Sequence, residues 1–325
     1  MSKFDPLEYP ICLTFPARLA PSAWIEHVPF AMCLIDAMRP RVFVELGSHY
    51  GVSYCAFCQS VKEVGAQTKC YAVDTWQGDP QAGIYGQEVL DELRRHHDPL
   101  YGSFSRLLQS TFEEAAEHFP AGSIDLLHID GFHTYDAVRA DFETWLPKMS
   151  ERGVILFHDI NVRERDFGVW RLWDELKAKY PHYEVMYGHG LGVIAVGTET
   201  PAALAGLFDG AEEELRRVRE FFYQLGVRLE VAQELESLKQ SVKDRDERAR
   251  EREQRMRQEH PLLARTSNFL QVCADEGLGS AVRLGVTKAR GKVTPGAEAT
   301  RDADDAKESN PAETTAAAAA ARTSG

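Results

Sequence analysis

Hydrophobic positions follow two periods along this chain, and their alternation predicts its architecture. Short apolar runs at Val42–Leu46, Cys70–Val73, Phe104–Leu108, Ile124–Ile129 and Val154–Phe157 read as strands. Between and after them, residues 53–64, 87–95, 112–119, 135–146 and 169–180 repeat apolar side chains at helical spacing. A helix from Ser22 to Met38 precedes them, with Ser22 as its N-cap and Pro40 beyond its end. Continuous apolar strands separated by helices predict an α/β fold, a Rossmann-like doubly wound sheet that is mostly parallel and covered on both faces. Tyr183–Tyr187 and Leu191–Val196, joined by Gly-His-Gly, predict an antiparallel hairpin closing the sheet edge.

After Glu212 the pattern changes. Leu215, Val218, Phe222, Leu225, Leu229 and Ala232 alternate spacings of three and four, and Leu235, Leu238 and Val242 continue after a slip of phase. This predicts a short heptad seam and a homo-oligomer formed through residues 211–243. Residues 243–259 alternate charge signs with almost no apolar content, as a solvated helix would. Four segments are expected: an N-terminal arm over 1–21, a sheet domain over 22–200, a coiled-coil and charged helix over 211–260, and a mostly disordered tail over 261–325.

Composition sharpens that division. All five Trp and all eleven Tyr of the 325 residues lie at or before Tyr223, and Phe269 is the single aromatic after Gln224. The first two-thirds can therefore build a core that the remainder cannot. A net charge of 37 − 50 = −13 opposes phosphate-dependent binding, so no nucleic acid partner is expected. No apolar stretch approaches the roughly 18 residues of a membrane span, and the first residues lack a secretory pattern, so a cytoplasmic location is expected. Cysteines at 12, 33, 55, 58, 70 and 273 show no framework spacing, which suits reduced, buried thiols.

The chemistry concentrates where predicted strands end, the place at which doubly wound sheets bind ligands. Val42–Leu46 runs into Gly47-Ser48-His49-Tyr50-Gly51, a glycine turn opening a helix. A dinucleotide fingerprint would carry a further central glycine, and Glu45 would repel a pyrophosphate while suiting a cationic ligand with amino and sulfonium groups. Asp74 ends the second strand, where a carboxylate can accept ribose hydroxyls, with Thr75 beside it. Ser110 and Thr111 follow the third strand. Asp130 ends the fourth, with His133 three residues on, and the fifth ends in His158-Asp159. Asp130 and Asp159 make a hard-oxygen site suited to Mg²⁺ or Mn²⁺, with His158 a candidate nitrogen ligand. An imidazole beside such carboxylates suits a general base.

Glu45-Leu-Gly-Ser-x-x-Gly51, Asp74, Ile129-Asp-Gly-x-His-x-Tyr135 and Leu156-Phe-His-Asp159 resemble the class I S-adenosylmethionine-dependent methyltransferases. The branch they look like contains the macrolide-sugar O-methyltransferases and the cephalosporin-biosynthesis group, over roughly residues 22–198. The resemblance implies O-methylation of a sugar, glycan or related small-molecule hydroxyl. It implies S-adenosylmethionine held by Glu45, Gly47, Ser48, Gly51, Asp74, Thr75, Ser110, Thr111 and Asp130, a metal on Asp130 and Asp159, and His133 as base. One departure is present: the position before Asp159, usually an acid or paired differently in that family, is His158 here. Two other classes are alternatives: a nucleotide- or NAD-binding oxidoreductase, whose middle glycine and Tyr-Lys pair are missing here, and a non-catalytic scaffold on a degenerate methyltransferase fold.

Overall fold

The structure, a computed structural model, describes residues 3–81 and 83–259. The expected tail over 261–325, including Phe269 and Cys273, lies outside the described residues. The chain divides into two units, Met1–Asp244 and Arg245–Gly325. In the second, residues 245–259 are helical.

In chain order the elements are α1 (Val28–Met38), β1 (Val42–Leu46), α2 (Val52–Glu63), β2 (Lys69–Asp74), β3 (Gly78–Asp79), β4 (Gly83–Ile84), α3 (Gln87–Tyr101), β5 (Ser105–Gln109) and α4 (Phe112–Ala116). They continue with β6 (Ile124–Ile129), α5 (Tyr135–Trp145), β7 (Met149–His158), α6 (Val169–Leu176), β8 (His182–Val185), β9 (Leu191–Ala195), α7 (Ala205–Phe208) and α8 (Glu212–Glu259). Seven strands form one sheet in the order β5-β2-β1-β6-β7-β9-β8. The first five pair in parallel, and β9 runs antiparallel to both β7 and β8. The chain winds outward from β1 through β2 to β5, then returns to place β6 on the other side of β1. That reversal opens a crevice at the carboxyl ends of β1 and β6.

Side chains alternate across the sheet into two cores. Phe43, Cys70, Ala72, Leu126, Leu156 and Val193 face the layer containing α1, α2 and α3. Val44, Leu46, Val73, Leu127, Ile155 and Phe157 face the layer containing α5 and α6. At the amino end of β6, buried Asp125 accepts from the Arg41 backbone N–H, the Arg41 guanidinium and the Ser150 hydroxyl. Burial opposes its charge, but those donors hold the carboxyl below its usual range.

Three expectations change. The helix expected from Ser22 begins at Val28, with Pro29 in its first turn, and residues 25–27 form a 3₁₀ turn. Proline fits a first helical turn because it has no N–H to leave unpaired, so the start moves from Ser22 to the residue before Pro29. The segment 3–21 is packed rather than loose: Phe4, Ile11 and Cys12 are buried, Ala17 N–H donates to Gln59 and Arg18 donates to the Tyr50 carbonyl. The heptad positions Val218, Phe222 and Leu229 are buried against the chain's own core, with Phe222 edge-on to Phe30 at 5.2 Å. They are not available to a second copy; Val231, Leu235, Leu238 and Val242 are exposed. The five described cysteines are buried free thiols.

Docking of α8 depends on Gly226, where a Cβ would lie 2.4 Å from the Glu26 carbonyl oxygen. Helix propensity alone would make Gly226→Ala stabilising by about 1 kcal/mol. The contact with backbone reverses that sign, and urea denaturation of the variant is expected to show a net loss of roughly 1–3 kcal/mol. A gain in stability would show that α8 does not seat on residue 26.

Candidate active site

Gly47 follows β1 with φ +83, and its N–H donates to the Val73 carbonyl at 2.9 Å. A Cβ on Gly47 would lie 2.0 Å from the Asp130 carbonyl oxygen, and one on Gly51 would lie 2.5 Å from a Leu93 methyl. The two glycines therefore serve first to let the turn pack against the chain, rather than to admit a ligand to the backbone. Asp74 braces the same turn. One of its oxygens accepts the N–H groups of Ser48 and His49, each at 2.9 Å, and the other accepts the Trp76 N–H at 2.7 Å. Buried Trp76 closes the loop by donating its indole N–H to the His49 carbonyl.

Glu45 lies beneath the turn. It is fully buried, accepts from the Ser48 hydroxyl at 2.7 Å and from His128 Nδ1 at 2.9 Å, and does not line the cavity described below. The Trp24 indole N–H donates to the other ring nitrogen of His128 at 3.1 Å. An indole can only donate, so His128 Nε2 carries no proton and Nδ1–H points to Glu45. A buried chain Trp24–His128–Glu45–Ser48 thus ties the N-terminal segment to the glycine turn. The expected contact of Glu45 with a cationic ligand is replaced by this internal one, because alternation along β1 turns its side chain toward the α1 layer.

At the adjacent strand ends, Asp130 and Asp159 surround two imidazoles. His133 Nε2 lies 2.9 Å from Asp159 and 3.4 Å from Asp130. His158 Nδ1 lies 3.2 Å from each. His158 also donates from Nε2 to the Gly188 carbonyl at 3.1 Å, so both its nitrogens carry protons. Burial works against that cation, but the two carboxylates outweigh it and hold the imidazole protonated well above the usual range. In turn the imidazoles keep Asp130 and Asp159 ionised far below the ordinary carboxylate range, against the pull of burial. Both His158 nitrogens are thus engaged within the chain, Nδ1 by the two acids and Nε2 by Gly188.

His133 approaches the same two acids from the cavity side. One oxygen or nitrogen from each of Asp130, His133 and Asp159 can be chosen so that all lie within 4.8 Å of one another. His133 is held at its far side by Gln81, whose Oε1 accepts both the His133 backbone N–H and Nδ1–H at 3.0 Å, while its Nε2 donates to the Arg165 carbonyl. Phe167 stacks on the ring at 4.6 Å. Burial opposes protonation of His133, yet Asp130 and Asp159 push it up to about 9. His189 donates to the remaining Asp159 oxygen at 2.9 Å. Asp159 and His189 both sit in left-handed backbone, φ +62 and +68, as do His49 and Trp76, so strained residues gather at this edge.

A cavity of about 370 Å³ opens between the glycine turn and this cluster. Gly47, Ser48, Gly51, Asp74, Thr75, Thr111, Asp130 and His133 line it, together with residues that pattern reading passed over as ligand-facing: Trp24, Tyr85, Phe112 and Asp141. Ser110 does not; its backbone N–H donates to the Asp74 carbonyl and its hydroxyl to Glu114. Gln81 and His189 also went unrecognised. Gln81 sits at the tip of the two-residue strands β3 and β4, which have too little sequence for a period to show.

The family described as Methyltransferase domain matches residues 44–160, from β1 through Asp159. Over 186 residues, 57% of this chain, the sequence is 52% identical to the uncharacterized protein y4gI of Sinorhizobium fredii, and the match spans 20% of that relative's length. Among solved structures, the SAH-bound methyltransferase PaMTH1 of Podospora anserina is similar at a TM-score of 0.40 and 14% identity, covering 54% of this chain and 88% of that one. A methyltransferase from Geobacter sulfurreducens is similar at a TM-score of 0.40 and 13% identity, covering 52% and 78%. The glycine turn, Asp74 and the acid–imidazole cluster all fall inside the stretch matched by a methyltransferase domain.

Proposed function

We propose that the chain is an S-adenosylmethionine-dependent O-methyltransferase acting on a hydroxyl of a sugar, glycan or related natural product. The observation that carries this reading is the Asp130–His133–Asp159 group beside the glycine turn, within the segment matched by a methyltransferase domain. The acceptor class rests on the resemblance of the Asp-Gly-x-His-x-Tyr and His-Asp segments.

The cavity fits the methyl donor in kind: its volume lies in the range of small-molecule sites, and it combines the ionised Asp130 with apolar and aromatic walls. Gly47, Ser48, Gly51, Asp74, Thr75, Thr111 and Asp130 are the residues that would hold it, and when bound it supplies a methyl group on a sulfonium. The carboxylate oxygens of Asp130 and Asp159 fit a divalent cation such as Mg²⁺ or Mn²⁺, which would polarise an acceptor hydroxyl beside His133. His133 is oriented for the proton. Its Nδ1–H is committed to Gln81, which leaves Nε2 as the nitrogen facing the site. That nitrogen becomes a base only once the carboxylates that hold its second proton are engaged elsewhere.

Calorimetry is expected to show binding of S-adenosylmethionine and S-adenosylhomocysteine and none of NAD; NAD binding alone would overturn the reading. His133→Ala should keep S-adenosylhomocysteine affinity within about twofold while turnover on a methylated hydroxyl falls at least about 100-fold. Normal turnover in that variant would remove His133 as the base.

The cation reading predicts a proton count. Because His133 is protonated below about 9, Mn²⁺ titrated near neutral pH should displace close to one proton per ion, read from calorimetry in buffers of different ionisation enthalpy. His133→Ala should bring the release toward zero; an unchanged release would place the proton on another group.

The exposed stripe Val231, Leu235, Leu238 and Val242 completes the proposal as a homo-oligomer contact, shorter than the seam expected over 211–243. In a parallel pair, Glu234 of one helix and Lys239 of the other would flank that stripe with opposite charge. Leu235→Glu combined with Leu238→Glu should turn a dimer into a monomer by sedimentation velocity with helix content retained. A monomeric parent chain would exclude the contact.

A further inference from the structure

Two arginines beside the site lie over aromatic rings and have no acid to pair with. The Arg163 guanidinium sits over the Trp170 indole at 4.6 Å, and that of Arg171 sits over the Tyr135 ring at 4.2 Å. Among the described residues, no hydrogen bond or ion pair reaches either guanidinium. Carboxylates are abundant in a chain of net charge −13, yet those nearby are engaged elsewhere or left in water. Glu175 accepts the Tyr135 hydroxyl at 2.8 Å, Glu143 takes Arg139 at 2.7 Å, and Glu164 and Asp166 are exposed. A guanidinium stacked on a ring keeps its N–H edge for an oxyanion, and its orientation is restrained before the ligand arrives.

Local structure brings both arginines to one rim. Gly168 precedes α6, and a Cβ on it would lie 2.3 Å from the Tyr135 backbone nitrogen, so a glycine lets α6 start against the first residue of α5. The Gly168 N–H donates to the His133 carbonyl at 2.7 Å. Trp170 donates its indole N–H to the Phe167 carbonyl at 3.0 Å, and Phe167 stacks on His133. One path therefore runs from the His133 ring through Phe167 and Trp170 to Arg163. A second runs from His133 along the chain to Tyr135 and so to Arg171. Neither arginine lines the cavity itself. A group that meets them must belong to a ligand extending past His133, on the side where the acceptor hydroxyl would arrive.

We propose that Arg163 and Arg171 bind an oxyanion carried by the acceptor, so that the methylated compound is an acidic saccharide with a phosphate or carboxylate beyond the reacting hydroxyl. The assignment rests on the methyl-transfer reading above. The two arginines select the acceptor and take no part in methyl transfer.

Calorimetry on the full chain saturated with S-adenosylhomocysteine, at about 0.15 M salt to screen unspecific attraction, tests it. The probes are tetragalacturonate, maltotetraose 1-phosphate and neutral maltotetraose. At least one acidic probe should bind about 10-fold or more tightly than maltotetraose, the range of a charge-assisted hydrogen bond, and which one does so distinguishes carboxylate from phosphate. Arg163→Gln and Arg171→Gln should each bring that preference below about threefold. Arg95→Gln, at an exposed position on α3, should leave it unchanged. All three variants should keep S-adenosylhomocysteine affinity within about twofold, and thermal unfolding confirms that each is folded. Equal binding of acidic and neutral probes, no binding of either acidic probe, or a preference retained in either folded variant at 163 or 171 overturns the acidic acceptor and leaves the methyl-donor reading intact. Failure of S-adenosylhomocysteine to bind the parent chain overturns that reading, and the acceptor role with it.

Discussion

Two carboxylates at neighbouring strand ends, Asp130 and Asp159, cannot both be buried and ionised without a cation between them. His158 is that cation. Its Nδ1 lies 3.2 Å from each acid, and its Nε2–H is anchored on the Gly188 carbonyl in the β8–β9 turn. The hairpin that closes the sheet edge is thereby coupled to the chemistry of the site. The same arrangement explains why His133, rather than His158, faces the cavity: one imidazole neutralises the acids from within the fold, and the second approaches them from the cavity side.

The glycine turn shows a related economy of contacts. Asp74 receives three backbone N–H groups, and Glu45 receives a hydroxyl and an imidazole N–H. Both acids are spent on contacts within the chain, which gives the turn a defined shape. Order of this kind lowers the conformational cost of binding, because the donors need not be fixed at the moment of association. Removal of Asp74 would thus disturb the turn and the cavity wall together.

Elements distant in sequence meet around the cavity. Gln81, at the tip of the short β3–β4 hairpin, joins His133 to the Arg165 carbonyl, so two loops hold one imidazole from outside. Trp24, in the segment before α1, reaches His128 on β6 and through it Glu45 on β1. Helix α8 seats on the same N-terminal region through Gly226, and Arg219 donates to the Glu184 carbonyl on β8. The N-terminal segment is therefore clamped between the sheet domain and the first half of α8.

The sequence by itself determined the alternation of strands and helices, the parallel sheet with its antiparallel edge and the positions of Gly47, Asp74, Asp130 and Asp159 at strand ends. Hydrophobic periodicity is a local property, and a residue's place at a strand end follows from it directly. Only the tertiary structure decided which way each of these residues is used. Glu45 turned inward by strand alternation, the heptad positions Val218, Phe222 and Leu229 were consumed by the chain's own core, and His158 came to lie between the two acids and the Gly188 carbonyl while His133 faced the cavity. Proton sites and counterions depend on distances between residues far apart in the chain, here 28 positions between Asp130 and His158, and pattern alone carries no such distance.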